Sequence, residues 1–201
     1  MMDNDTKVIL SEGELAMARD KDIILTKQAI ITKSASLFNH QIPFLSVLFK
    51  NVFVNDNSLL AAVPKISKGE NYRGFPYVIM DYPASFGKQN IFALRTMFWW
   101  GNFISVTLHL KGTYKEMYAS KILEKVKCEP NFYIAIGEEE WQHDFIEDNY
   151  IKSEHITEEA ELLIEEKSFF KVALKYELHH WNMMQSLLPL GYEKIKKLFI
   201  Y

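Results

Sequence analysis

The sequence predicts an α+β domain: a largely antiparallel sheet with an aromatic β-hairpin at about 90–111, flanked by N-terminal and C-terminal helices. Three observations carry this. Apolar pairs recur at seven-residue intervals before residue 40, which is a helical spacing. From Asn71 to Gly112 the chain turns dense in aromatic and β-branched residues and is cut by Gly74, Pro76, Pro83 and Gly87, which is the composition of short strands. Helical spacing then returns at 113–127 and near the end, so helices flank the strands. No repeat and no Gly/Ser-rich linker divides the chain, and 201 residues are expected to form one domain over 1–201.

Ser11 and Glu14 have the spacing of a capping box and open the first helical segment. Ile23/Ile24, Ile30/Ile31 and Leu37/Phe38 then share one helical face, with Lys21, Lys27, Gln28 and Lys33 outside it. Pro43, pre-organised for a first turn, is expected to start a second helix reaching about Phe53. Strands are expected at about 76–82, 90–100 and 103–111. With Gly101 and Asn102 as a two-residue loop, Trp100 would face Phe103, Thr96 would face Thr107, and Leu94 would face His109. That register places Ile91, Ala93, Arg95, Met97 and Trp99 with Ile104, Val106, Leu108 and Leu110 on a core face. Phe92, Leu94, Thr96, Phe98 and Trp100 would share a mixed face with Phe103, Ser105, Thr107, His109 and Lys111.

Further on, Tyr114, Met117/Tyr118, Ile122 and Val126 space a helix over 113–127, and Phe132–Ile136 reads as a strand. Thr157 can cap an acidic helix over 158–167. Phe170, Val172, Leu174 and Tyr176 alternate with Lys171, Ala173 and Lys175, which favours a strand buried on one side; a helix through 169–186 is the competing reading. A last helix, at about 193–200, would dock through Ile195, Leu198 and Phe199.

Composition narrows the function classes. A net charge of −3 argues against nucleic-acid binding. No apolar run approaches the roughly 18 residues of a spanning helix, so no membrane is expected. Met1–Asp5 lacks the basic-then-apolar pattern of a leader, and Cys128 is the only cysteine; together they lead to the expectation of a cytoplasmic protein without disulfides. Charge is also unevenly spread. Residues 50–111 hold seven Lys/Arg against three acids, and 137–166 hold twelve acids against Lys152 alone. The acidic segment reads as a solvated helix and loop, with a second reading in which it lies across the basic segment and masks it.

The candidate ligand-binding residues are Lys65, Lys68, Tyr72, Arg73, Arg95, Thr96, Trp100, Thr107 and His109. Lys65, Lys68, Tyr72 and Arg73 belong to a Gly-punctuated segment with a turn at Gly69, read as a loop able to present cations and backbone N–H groups to an anion. Arg95 on a core face needs a partner: Asp81 is the first candidate and Glu70 another, unless Arg95 clamps a ligand anion. His109 would need a carboxylate to act as a base, and spacing identifies none. His143, Asp144, Glu147, Asp148, His155 and the His179–His180 pair invite a metal reading, but they match no metal motif, and no metal or cofactor is assigned.

These residues lead to a non-catalytic domain binding a small anionic or aromatic ligand or a protein partner. The first alternative is an enzyme on an anionic small-molecule substrate, with Arg73 and Arg95 holding charge and His109 or Asp81 moving protons. The second is a homo-oligomeric subunit that buries the hairpin's aromatic face.

Overall fold

Residues 8–50, 52–53, 56–146 and 148–200 are described by the computed structural model. Among them, seven strands form one sheet in the order β1-β2-β3-β4-β7-β5-β6, with every neighbouring pair antiparallel. The strands are β1 (Lys65–Tyr72), β2 (Phe75–Phe86), β3 (Ile91–Trp99), β4 (Phe103–Lys111), β5 (Tyr133–Ala135), β6 (Tyr150–Lys152) and β7 (Phe169–Glu177). The helices are α1 (Glu12–Arg19), α2 (Lys21–Lys50), α3 (Asn57–Leu60), α4 (Thr113–Lys127), α5 (Glu158–Glu166) and α6 (Met184–Lys197). The fold is therefore α+β, with helices at both ends of the chain. None of the described helices is long and apolar enough to cross a membrane.

The capping box at Ser11 is formed, with the Ser11 hydroxyl accepting from Glu14 N and the Glu14 carboxylate accepting from Ser11 N. The helix expected to begin at Pro43 does not exist as a separate element, because Pro43 lies inside the 30-residue α2. Leu37, Phe38, Gln41, Leu45 and Phe49 keep one buried face in phase across the proline. Their packing outweighs the roughly 3 kcal/mol that an interior proline costs a helix locally. The buried face starts later than the sequence spacing implies, since Ile23 and Ile24 are exposed. The last helix starts nine residues earlier than expected, at Met184, after a 3₁₀ turn at Leu178–Met183.

Two corrections decide where the site lies. The segment Lys65–Tyr72, expected as a loop, is the edge strand β1, and its turn to β2 is Arg73–Gly74, at φ 50° and 87°. Gly69, expected to turn, stays in the strand with the Tyr77 ring over it, where a Cβ would stand 2.2 Å from a ring carbon. The β3–β4 hairpin has a three-residue loop, Trp100–Asn102, instead of two. The Trp99 carbonyl accepts from Asn102 N, and Gly101 takes φ 71° at the third turn position, the position that a type II turn reserves for glycine. Every pairing thus shifts by one residue: Trp99 faces Phe103, Arg95 faces Thr107, and Ala93 faces His109.

A shift of one residue in register moves a whole strand face. Phe92, Leu94, Thr96 and Phe98 now share a face with Ile104, Val106, Leu108 and Leu110, and this face meets α2, α4 and α6 in the main core. Thr96, its one polar member in β3, is hydrogen-bonded to the Tyr192 hydroxyl at 2.8 Å. The opposite face carries Arg95, Met97 and Trp99 with Phe103, Ser105, Thr107, His109 and Lys111.

Candidate functional site

The polar face of the sheet gathers charge by register alone. Asp81 on β2 is the cross-strand partner of Arg95 on β3, Arg95 of Thr107 on β4, and Thr107 of Ala173 on β7. One row along stand Ala93, His109 and Lys171. Ala84, Ala93, Ser105 and Ala173 on this face are small and leave room above it. That room is filled by residues 138–146, an irregular strap between β5 and β6. β7, expected to be buried on one side only, is consequently buried on both, and Lys171 is 0% exposed.

The strap lays two acidic groups on the basic strands, a limited form of the masking arrangement considered from the charge distribution. The guanidinium of Arg73 meets the Asp144 carboxylate at 2.9 Å, and Lys111 meets Glu140 at 2.6 Å. Glu138 pairs with Lys167 at 3.0 Å. The Lys171 ammonium donates to the Glu140 and Gln142 carbonyls at 3.0 and 2.6 Å, and so pins the strap by its backbone. Rings complete the seal. Trp141 packs edge-on against His109 and beneath the Arg95 guanidinium, while Phe145 stacks on Tyr150 and meets Phe103 and Tyr133 edge-on.

Arg95 is the hub. Its Nε and Nη2 donate to the two Asp81 oxygens at 2.8 and 2.9 Å, the bidentate geometry that suits a guanidinium. Asp81, the first candidate from sequence, is therefore its ion-pair partner, while Glu70 pairs with Lys27. The third Arg95 contact runs from Nη1 to His143 Nε2 at 2.8 Å. Burial and the Arg95 charge hold the His143 pKa well below its ordinary value, so the ring is neutral and Nε2 is the acceptor. The His143 backbone N–H donates to the Tyr72 hydroxyl at 2.6 Å, and that hydroxyl donates to Asp144 at 3.2 Å. Burial raises the Tyr72 pKa.

His109 has the carboxylate neighbour that spacing could not supply. Its Nε2 stands 3.2 Å from Glu140 Oε1, without hydrogen-bond alignment. Burial, then the charges of Lys171, Arg95 and Lys111, push the His109 pKa down to about 3. Burial and Arg95 also bring the Lys171 pKa down to about 7. Tyr150 is raised, by burial first. Arg95 is felt by His109, His143, Lys171 and Tyr150 alike, which places its charge at the centre of the group.

Two features separate this vault from an ordinary core. Arg73, Arg95 and Lys111 are matched by Asp81, Glu140 and Asp144, and Lys171, its pKa brought down to about 7, adds an amine that is only partly charged at neutral pH. Among the described residues, the buried side-chain polar atoms without a hydrogen-bond partner are His109 Nε2 and Glu140 Oε1, which are neighbours, Tyr150 Oη on β6, and Asn149 Oδ1 just before β6. Buried polar atoms are otherwise almost always bonded, so these four are the least satisfied polar groups among the described residues.

Compared with protein-family profiles, curated proteins and solved structures, the chain matches none.

Of the nine candidate residues, the structure brings Tyr72, Arg73, Arg95, Thr107 and His109 to the strap face. Lys65 lies beside them at the sheet edge as the partner of Asp81, while Lys68 pairs with Val78 and falls on the helix side. Thr96 is also on the helix side, and Trp100 is at the hairpin tip. Sequence reasoning missed Lys171, Glu140, Trp141 and Tyr150, and placed His143 and Asp144 only in the metal reading. Among the described residues no group of three or more His, Cys, Asp or Glu is placed to hold a metal ion. Glu147, part of that reading, lies outside the described residues.

Proposed function

We propose that the chain is a non-catalytic binding domain that takes a small anionic ligand on the polar sheet face beneath the strap. The observation that carries this reading is the convergence of the largely buried Arg95 and the buried Lys171 with the more exposed Arg73 and Lys111 along the strap, beside buried polar atoms that lack partners. Arg95 uses three of its five N–H donors on Asp81 and His143, which leaves two for a ligand oxygen. The buried Tyr150 hydroxyl supplies another free donor. Glu140 and Asp144 on the strap occupy anion positions now, so an external carboxylate or phosphate would bind by displacing one of them. The single cysteine, Cys128, supports a reducing, cytoplasmic setting in which thiols stay free.

A second reading has its own observation. The His109–Glu140 approach at 3.2 Å, beside Asp81 and Arg95, is a proton-transfer arrangement for an enzyme acting on an anionic substrate. Binding is preferred because the His109 Nε2–Glu140 Oε1 approach lacks hydrogen-bond alignment, so no oriented base is formed. The homo-oligomer alternative draws less support from the hairpin, where Phe92, Phe98, Trp99 and Phe103 are buried within this chain and Trp100 is half-buried.

Native mass spectrometry of gently purified protein tests the proposal. The expected result is a retained small anion, displaced by added carboxylate or phosphate and weakened by Arg73→Gln and Tyr150→Phe. A bare mass, together with no binding of either anion class by calorimetry, would overturn it.

A further inference from the structure

On the other face of the sheet, at the hairpin tip, a cavity of about 440 Å³ is lined by Ile30 and Lys33 of α2, Phe98, Trp100 and Gly101 of the hairpin, and Leu178 and Trp181 around the 3₁₀ turn. It adjoins a more polar chamber of about 390 Å³ that shares Lys33 and Trp181 and adds Ser36, His40 and Gln185. Both volumes lie within the range of small-molecule sites.

Phe98, 3% exposed, is the floor. Trp100 and Trp181 each stand edge-on to it, at 6.2 and 5.7 Å and both at 75°, so two half-buried indoles rise as walls from one ring. Gly101 opens the mouth, since a Cβ there would meet nothing within 4 Å. The indole N–H of neighbouring Trp99 is bonded to the Tyr72 carbonyl, whereas among the described residues those of Trp100 and Trp181 have no acceptor. Lys33 likewise forms no ion pair among the described residues. An aromatic box commonly takes a cationic ligand. A lysine shared by both chambers reverses that preference.

We propose that this cleft is a second binding site, for a planar aromatic molecule carrying one acidic group. The ring lies between the two indoles over Phe98, and the acid pairs with Lys33 at the passage to the polar chamber. The site is independent of the vault under the strap and uses no residue of it.

The test is calorimetry on the full chain with 2-naphthoate, neutral 2-naphthylmethanol and cationic trimethylanilinium as probes. Naphthoate is expected to bind this cleft about tenfold tighter than the neutral probe, the value of one charge-assisted hydrogen bond. Lys33→Gln, an exposed change, should bring naphthoate down to the neutral probe's affinity, and Trp181→Leu should weaken both. Arg73→Gln should leave the naphthoate affinity unchanged. Absence of naphthoate binding, equal affinity in Lys33→Gln, preference for the cation, or loss in Arg73→Gln would each overturn the assignment.

Discussion

Lys171→Met separates the cost of a buried charge from the value of the contacts that hold it. In the folded chain the Lys171 pKa falls from 10.5 to about 7, because the amine is fully buried and close to Arg95. Between those values the unfolded chain carries the proton and the folded chain does not, so raising the pH favours folding. Below pH 7 both states are protonated and the penalty is at its full extent. At about 1.4 kcal/mol per pH unit, moving from pH 7 to 9 gains at most about 2.7 kcal/mol from this group, and about 1–3 kcal/mol is expected. In Lys171→Met the gain vanishes. At pH 7 the variant loses two bonds to strap carbonyls but also a buried charge, effects of opposite sign and of about 1–3 kcal/mol each, so it stays near wild-type stability. Urea unfolding followed by tryptophan fluorescence at pH 7 and 9 measures both. An equal rise in stability with pH for wild type and variant would show that Lys171 does not titrate between the two pH values.

Acid acts through the histidines in the same sense. With the folded His109 pKa at about 3 against an ordinary 6.5, stability is lost as pH falls from 6.5 toward 3, by about 2–3 kcal/mol at pH 4.5. His109→Gln should flatten that fall, as read by urea midpoints. Asp81→Asn leaves Arg95 buried without its carboxylate and should cost about 3 kcal/mol, while Asp81→Asn with Arg95→Met should cost less than the sum of the two changes by at least about 1 kcal/mol in a double-mutant cycle. Gly101→Ala, at φ 71° in open space, should cost about 1 kcal/mol of thermal stability through backbone strain alone.

Much of the fold was legible because period and punctuation agree with packing. Helix α4 matches its sequence span, and α5 and β7 agree within a residue or so. The hairpin register was missed because Gly101–Asn102 reads as a two-residue loop, although the chain turns one residue earlier, at Trp99. A signal was present: the observed register makes one hairpin face apolar apart from Thr96 and collects Arg95, Thr107, His109 and Lys111 on the other. Hydrophobic segregation was the better guide, and it would have joined Arg95 to His109. The proline in α2 misled for a different reason, since local propensity there yields to a continuous buried face. The strap was not legible residue by residue. It has no period, and its partners lie tens of residues away; only the opposed charge of 50–111 and 137–166 pointed to it. Lys171, alternating with apolar neighbours, looks like a solvated lysine until the strap is seen above it.

The claim that the vault beneath the strap binds an anion is tested most directly by a thermal-shift titration with carboxylates and phosphates on wild type, Arg73→Gln and Tyr150→Phe. A ligand at 100 times its Kd should stabilise the folded protein by about 2.7 kcal/mol. At least one anion class should raise the melting temperature of wild type, and both variants should reduce the gain. No gain with any anion, or equal gains in all three proteins, would contradict the claim.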